Sequence, residues 1–149
     1  MRSRGFTLVE LVMVIVLVGI LAAVVAPRLD LRGFDSSAAA AELVGAIRYA
    51  QTMSMAHGGV ETYAVRLEAG GYRVLRNGVA TVDPFRNSGA YVSGWQGITL
   101  APTGEISFDA RGAPACTGFD CTASAQAISI SRGGVGSQIV LQPVTGYVQ

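Results

Sequence analysis

Apolar residues crowd together near the start of the chain and recur periodically everywhere else. Leu11 to Ala26 is a run of sixteen uncharged, almost wholly apolar residues, ended by Pro27, Arg28 and Asp30. Counted from Phe6 the segment holds 21 residues, about 31 Å of helix at roughly 1.5 Å per residue. That matches a hydrocarbon core about 30 Å thick, so the pattern predicts one membrane-spanning helix. Arg2 and Arg4 lie on its Met1 side and are expected to stay cytoplasmic, which sends the rest of the chain outward.

Beyond Ala26 the rhythm changes twice. Pro27 should kink or interrupt the helix, and Asp35, Ser36 or Ser37 offers a new N-cap. From Ala38 to about His57, Leu43, Val44, Ile47, Ala50 and Met53 or Ser54 recur at helical spacing and give one apolar face. Glu42 and Arg48 lie off that stripe, and Gly58-Gly59 should stop the helix. After Gly59 the period falls to two. Hairpins are expected for Glu61–Glu68 with Tyr72–Arg76, for Ile98–Leu100 with Glu105–Asp109 around Pro102-Thr103-Gly104, and for Ala127–Ser131 with Gln138–Gln142 at Arg132-Gly133-Gly134. Val79–Val82 and Gly146-Tyr147-Val148 add short strands, and Phe85–Gly97 reads as an irregular loop packed through Tyr91 and Trp95. The expected fold class is α+β. A long N-terminal helix, kinked near Pro27, precedes an all-antiparallel β domain of six to eight short strands in two sheets.

Composition adds limits. The 149 residues leave room for one domain plus an extra element. The formal net charge is +1 and every cation is an arginine, which gives no general field for nucleic acid or an anionic membrane. Cys116 and Cys121 enclose four residues in a turn-like stretch. Outside the cytoplasm they read as a local disulfide, the alternative being free thiols. A zinc site would have to borrow carboxylates, because the only histidine is His57. His57 reads as a helix C-terminal residue facing the dipole, and Gly133-Gly134-Val135-Gly136 as a turn rather than a phosphate loop. No catalytic residue, cofactor or metal is expected.

Glu10 is the anomaly. A carboxylate inside a membrane helix costs roughly 2.5–3.5 kcal/mol and signals a partner, although the macrodipole favours an anion in the first turns. An ordinary secretory signal cut after Val24-Val25-Ala26, or a plain anchor, would have no use for it. Gly19 and Ala23 permit close helix approach, or Gly19 is simply tolerated.

Gly5-Phe6-Thr7-Leu8-Val9-Glu10-Leu11 resembles the class III prepilin signal of type IV pilins and type II secretion pseudopilins. The resemblance implies a leader, 1–5, removed after Gly5 by the prepilin peptidase, which then N-methylates Phe6. It implies a retained transmembrane and assembly helix, 6–26, whose Glu10 meets a neighbouring subunit's N-terminus, with the helix kink at Pro27. A kinked, periplasmic amphipathic stretch, 27–59, and the antiparallel β domain, 60–149, would follow. Ile106-Ser107-Phe108-Asp109-Ala110-Arg111-Gly112 and Thr145-Gly146-Tyr147-Val148 resemble the turn and closing strand of the GspH/FimT branch, and mannose-sensitive haemagglutinin minor pilins end similarly. The implied role is a minor pilin or pseudopilin held single-pass in the inner membrane, then built into an extracytoplasmic filament by an assembly platform alongside other pilin or pseudopilin subunits. The alternative is a pilus-borne adhesin or DNA receptor. Nucleic acid is not the expected partner, because Glu61 and Glu68 intersperse Arg66, Arg73 and Arg76.

Overall fold

A computed structural model describes residues 7–25, 32–82 and 90–149. Gly5, Phe6, Pro27 and most of the first half of the 85–97 loop lie outside them. The chain forms two compact units, Met1–Leu31 and Arg32–Gln149.

The first unit contains α1, Leu8–Val25. Thr7 caps it, its Oγ1 accepting from the Glu10 amide at 3.3 Å and its carbonyl from the Leu11 amide at 3.2 Å. The described side chains of α1 are exposed on every side, from Leu8 to Val24. Taken alone, its 18 residues rise about 27 Å. Among the described residues, no helix is long and apolar enough to cross a membrane.

The second unit opens with α2, Arg32–Ala56. The helix begins ahead of the expected cap, so Asp35 sits in its first turn and pairs with Arg132 instead of capping. Ser36, Ala39, Ala40, Leu43, Ala46, Ile47, Ala50 and Ser54 form one buried stripe. Six of these are alanine or serine, which lets the helix lie close to the strands beneath. Gly58 and Gly59, at φ 58° and 81°, end it.

Nine strands follow among the described residues, every pairing antiparallel. The larger sheet runs β3 (Val79–Ala80), β2 (Gly71–Arg76), β1 (Tyr63–Glu68), β6 (Gly104–Phe108), β7 (Pro114–Thr117), with β4 (Val92–Gly94) also on β2. The smaller runs β5 (Thr99–Ala101), β8 (Gln126–Arg132), β9 (Val135–Leu141). Tyr63, Val65, Leu67, Tyr72, Val74, Ile106 and Phe108 from the first sheet join Leu100, Ile128, Ile130, Ile139 and Leu141 from the second in one core with α2.

The first and third expected hairpins form, the latter turning at Gly133-Gly134 with φ 58° and 85°. The second does not: β5 pairs with β8 and β6 with β1. Pro102-Thr103 carries the chain between sheets, and Gly104 is pressed onto β7, where a Cβ would lie 2.2 Å from the Thr117 carbonyl. Two strands were not expected, β4 in the loop and β7 under the cysteines. Conversely, the closing strand is reduced to a single bridge, Leu141 to Val148.

Candidate assembly site

Two regions hold the residues singled out above. In the first, Thr7 and Glu10 occupy the Ncap and third helical positions of α1, the spacing of a capping box. That T-x-x-E pattern was readable in the sequence. Glu10 is exposed, and among the described residues its carboxylate meets no cation. An uncharged apolar surface surrounds it on a helix with no polar face. Such a helix is complete only inside lipid or among other helices.

In the second region, the two C-terminal motifs converge on one side chain. Gln51 of α2 donates its amide to the Gly112 carbonyl at 2.9 Å and the Thr145 carbonyl at 2.7 Å. Asp109 closes its own turn, Oδ1 accepting from the amides of Ala113 and Arg111 at 2.8 Å each. These bonds, the Ala113 one foremost, hold its carboxyl below the usual range. Gly146 sits at φ 64°, where a Cβ would fall 2.5 Å from the Gly112 carbonyl. The motifs are therefore halves of one staple between helix, turn and tail. Nothing local to Gln51 announces this, since its partners lie 61 and 94 residues away.

Glu42 is not an off-stripe solvent residue. Half-buried, it accepts from the Tyr72 hydroxyl at 3.2 Å and the Trp95 indole at 3.1 Å. Burial, reinforced by Tyr91 and Glu42, pushes the Tyr72 phenol far above its ordinary value. Arg48 reaches the tail, donating to the Val148 carbonyl at 2.9 Å. His57 closes the helix end through Nδ1, 2.8 Å from the Met53 carbonyl, with Nε2 3.4 Å from Glu61.

The three hairpin arginines each meet a carboxylate: Arg66–Glu105 at 2.9 Å, Arg73–Glu68 at 2.7 Å and Arg76–Glu61 at 2.7 Å. Arg66 stands directly opposite Arg73, a repulsive juxtaposition that these pairs offset. Cys116 and Cys121 form a disulfide, with Cys121 fully buried. Among the described residues, no group of three or more His, Cys, Asp or Glu could hold a metal.

Residues 1–26 match the family model of the prokaryotic N-terminal methylation motif. The fold is similar to crystal structures of the Pseudomonas aeruginosa PAO1 type IV minor pilin FimU in two crystal forms. One matches with a TM-score of 0.52 at 13% identity, covering 76% of this chain and 90% of that one. The other matches with a TM-score of 0.51 at 16% identity, covering 76% and 86%. No curated protein matches the sequence. The chain thus combines an N-terminal methylation motif with a fold similar to that of a type IV minor pilin.

Proposed function

We propose that this chain is a minor pilin, a structural subunit of a type IV pilus. The observation that carries it is α1, a helix apolar and exposed on every side with one carboxylate in its first turn. The methylation motif over residues 1–26 supports the same reading. In this mechanism the leader 1–5 is removed after Gly5 and Phe6 becomes the methylated N-terminus. Residues 6–26 cross the inner membrane once, the 27–59 stretch leads outward through a kink at Pro27, and the β domain is displayed outside. Extraction by the assembly platform moves the helix from lipid into a bundle of like helices. Glu10 supplies register there: leaving it unpaired costs roughly 2.5–3.5 kcal/mol, which a neighbour's N-terminal amine at matching depth removes. The paired arginines of the β1–β2 hairpin support a structural role over a DNA receptor, because a polyanion needs uncompensated cations.

Glu10→Gln isolates the charge, since glutamine also serves at the third position of a capping box. Membrane insertion and leader removal are expected to persist, with incorporation into sheared filaments reduced about tenfold or more. Wild-type-level incorporation would refute the pairing role. Intact mass of the mature protein tests the whole scheme: a chain starting at methylated Phe6 is expected, and one starting at Pro27 sinks it.

A further inference from the structure

We propose that Asn77 is a site of spontaneous deamidation, where the backbone nitrogen of Gly78 displaces the side-chain amide and converts the tip of the β2–β3 hairpin to aspartate and isoaspartate. The chain holds two asparagines, and their successors differ: Asn77 precedes Gly78, whereas Asn87 precedes Ser88. Glycine puts no Cβ beside its own nitrogen, so that nitrogen can reach the preceding carboxamide, while a serine side chain crowds it. The dipeptide also serves the fold. Arg76 pairs with Val79, which leaves Asn77 and Gly78 as a two-residue turn at φ 51° and 79°. That backbone is the one Asn-Gly adopts most readily.

The surroundings favour the reaction in the folded chain. Asn77 and Gly78 are both exposed, so water reaches the reacting atoms. Asn77 Oδ1 accepts from the Thr62 amide at 2.9 Å, and the Asn77 amide donates to the Thr62 carbonyl at 2.8 Å. The oxygen that must carry negative charge during attack therefore already faces an N–H donor. Attack also needs rotation about the Asn77 Cα–C bond, and little resists it. Strand β3 is two residues long at the end of the larger sheet, and nothing lies within 4 Å of a Cβ built on Gly78.

The step balances with water alone. Gly78 N bonds to Asn77 Cγ and gives its proton to solvent; the bond from Cγ to the side-chain nitrogen breaks and ammonia leaves, closing a cyclic imide. Water then opens the imide at Cγ, which gives aspartate, or at the Asn77 backbone carbonyl carbon, which gives isoaspartate. Aspartate keeps an oxygen for the Thr62 amide and adds a negative charge next to Arg76, which already pairs with Glu61 at 2.7 Å. Isoaspartate lengthens the turn by one backbone atom, which the Arg76–Val79 register cannot hold. None of this chemistry depends on the pilus-subunit reading.

The test holds the folded full-length protein in detergent for about two weeks at about pH 8, beside a zero-time sample and a urea-unfolded one digested alike. Trypsin cuts after Arg76 and Arg86, so the two asparagines fall in separate peptides. A gain of about 1 Da on the Asn77–Arg86 peptide is expected, at about tenfold or more the rate at Asn87. Part of the product should accept a methyl group from an isoaspartyl methyltransferase. Gly78→Ala should slow the gain about tenfold, because its methyl crowds the attacking nitrogen. No gain over the zero-time sample overturns the proposal. So do equal rates at the two asparagines, modification confined to the unfolded sample, absence of isoaspartate, or an unchanged rate in Gly78→Ala.

Discussion

The two units of this chain satisfy their side chains in opposite ways. In Arg32–Gln149 the polar groups that matter are answered from within: Glu42 by Tyr72 and Trp95, Asp35 by Arg132, Gln51 by two carbonyls. Its apolar residues close into one core. In Met1–Leu31, α1 leaves its described apolar side chains exposed and its one carboxylate without a cation among the described residues. A unit of the first kind folds for itself, whereas a unit of the second kind acquires its stability from lipid or from other helices. Substitutions should sort accordingly. Those in the β unit should move Tm and spare membrane insertion, while Glu10→Gln should spare Tm and move assembly.

The hardest blow to the β unit should come at Gly146. Alanine there would need φ 64° and would place Cβ 2.5 Å from the Gly112 carbonyl, 2.6 Å from Gln51 Nε2 and 3.0 Å from the Phe108 ring. Gly146→Ala is expected to cost about 3 kcal/mol or more, read as a fall in Tm of the full-length protein in detergent. Gly134→Ala shares the positive φ, but nothing lies within 4 Å of its Cβ, so about 1 kcal/mol is expected. Equal losses at the two glycines would show that the staple contributes little beyond backbone conformation.

Much of this contrast was legible in the residues themselves. The apolar run from Leu8 to Val25, the 3–4 spacing of Leu43, Ile47 and Ala50, and the glycine pairs at 58–59 and 133–134 each encode a local choice, and each appears where local physics puts it. Contacts that join distant segments were not legible. The Ile98–Leu100 and Glu105–Asp109 runs read as a hairpin because a Pro-Thr-Gly turn separates them. Their true partners, β8 and β1, lie tens of residues away, and no local signal between Leu100 and Glu105 names them. Strand β7 was not legible because it is only four residues long and opens on a proline. At the site, Glu10 was visible as a lone charge in an apolar run. Gln51 and Glu42 were not, since an amide or carboxylate on a helix flank looks solvated until its long-range partners are known.

The disulfide should matter next most. It closes a small ring that fixes Cys121 in the core, beside the edge strand β7. By chain entropy alone its loss costs about 2 kcal/mol, or roughly 6–10 °C in a unit of this size. Cys116→Ser with Cys121→Ser should show that fall, and reductant should reproduce it in the wild type. A double variant as stable as the wild type would mean that the ring restrains only an already ordered loop.

The smallest effect is an acid one. Asp109 and Asp120 are exposed, and both carboxyls are held low by backbone amides, Ala113 foremost for the first and Thr122 for the second. A folded pKa below the unfolded one gives stability that is present above about 3.9 and lost as pH falls through the folded value. In Asp109→Asn an oxygen still accepts from the Ala113 and Arg111 amides, but the titration is gone. At neutral pH its Tm should therefore lie close to the wild type. Below about pH 3.9 its decline should be shallower, and adding Asp120→Asn should flatten it further. An acid limb identical in all three proteins would mean that the turn gains nothing from the charge, and that the Phe108–Gly112 motif is held by Gln51 and glycine packing alone.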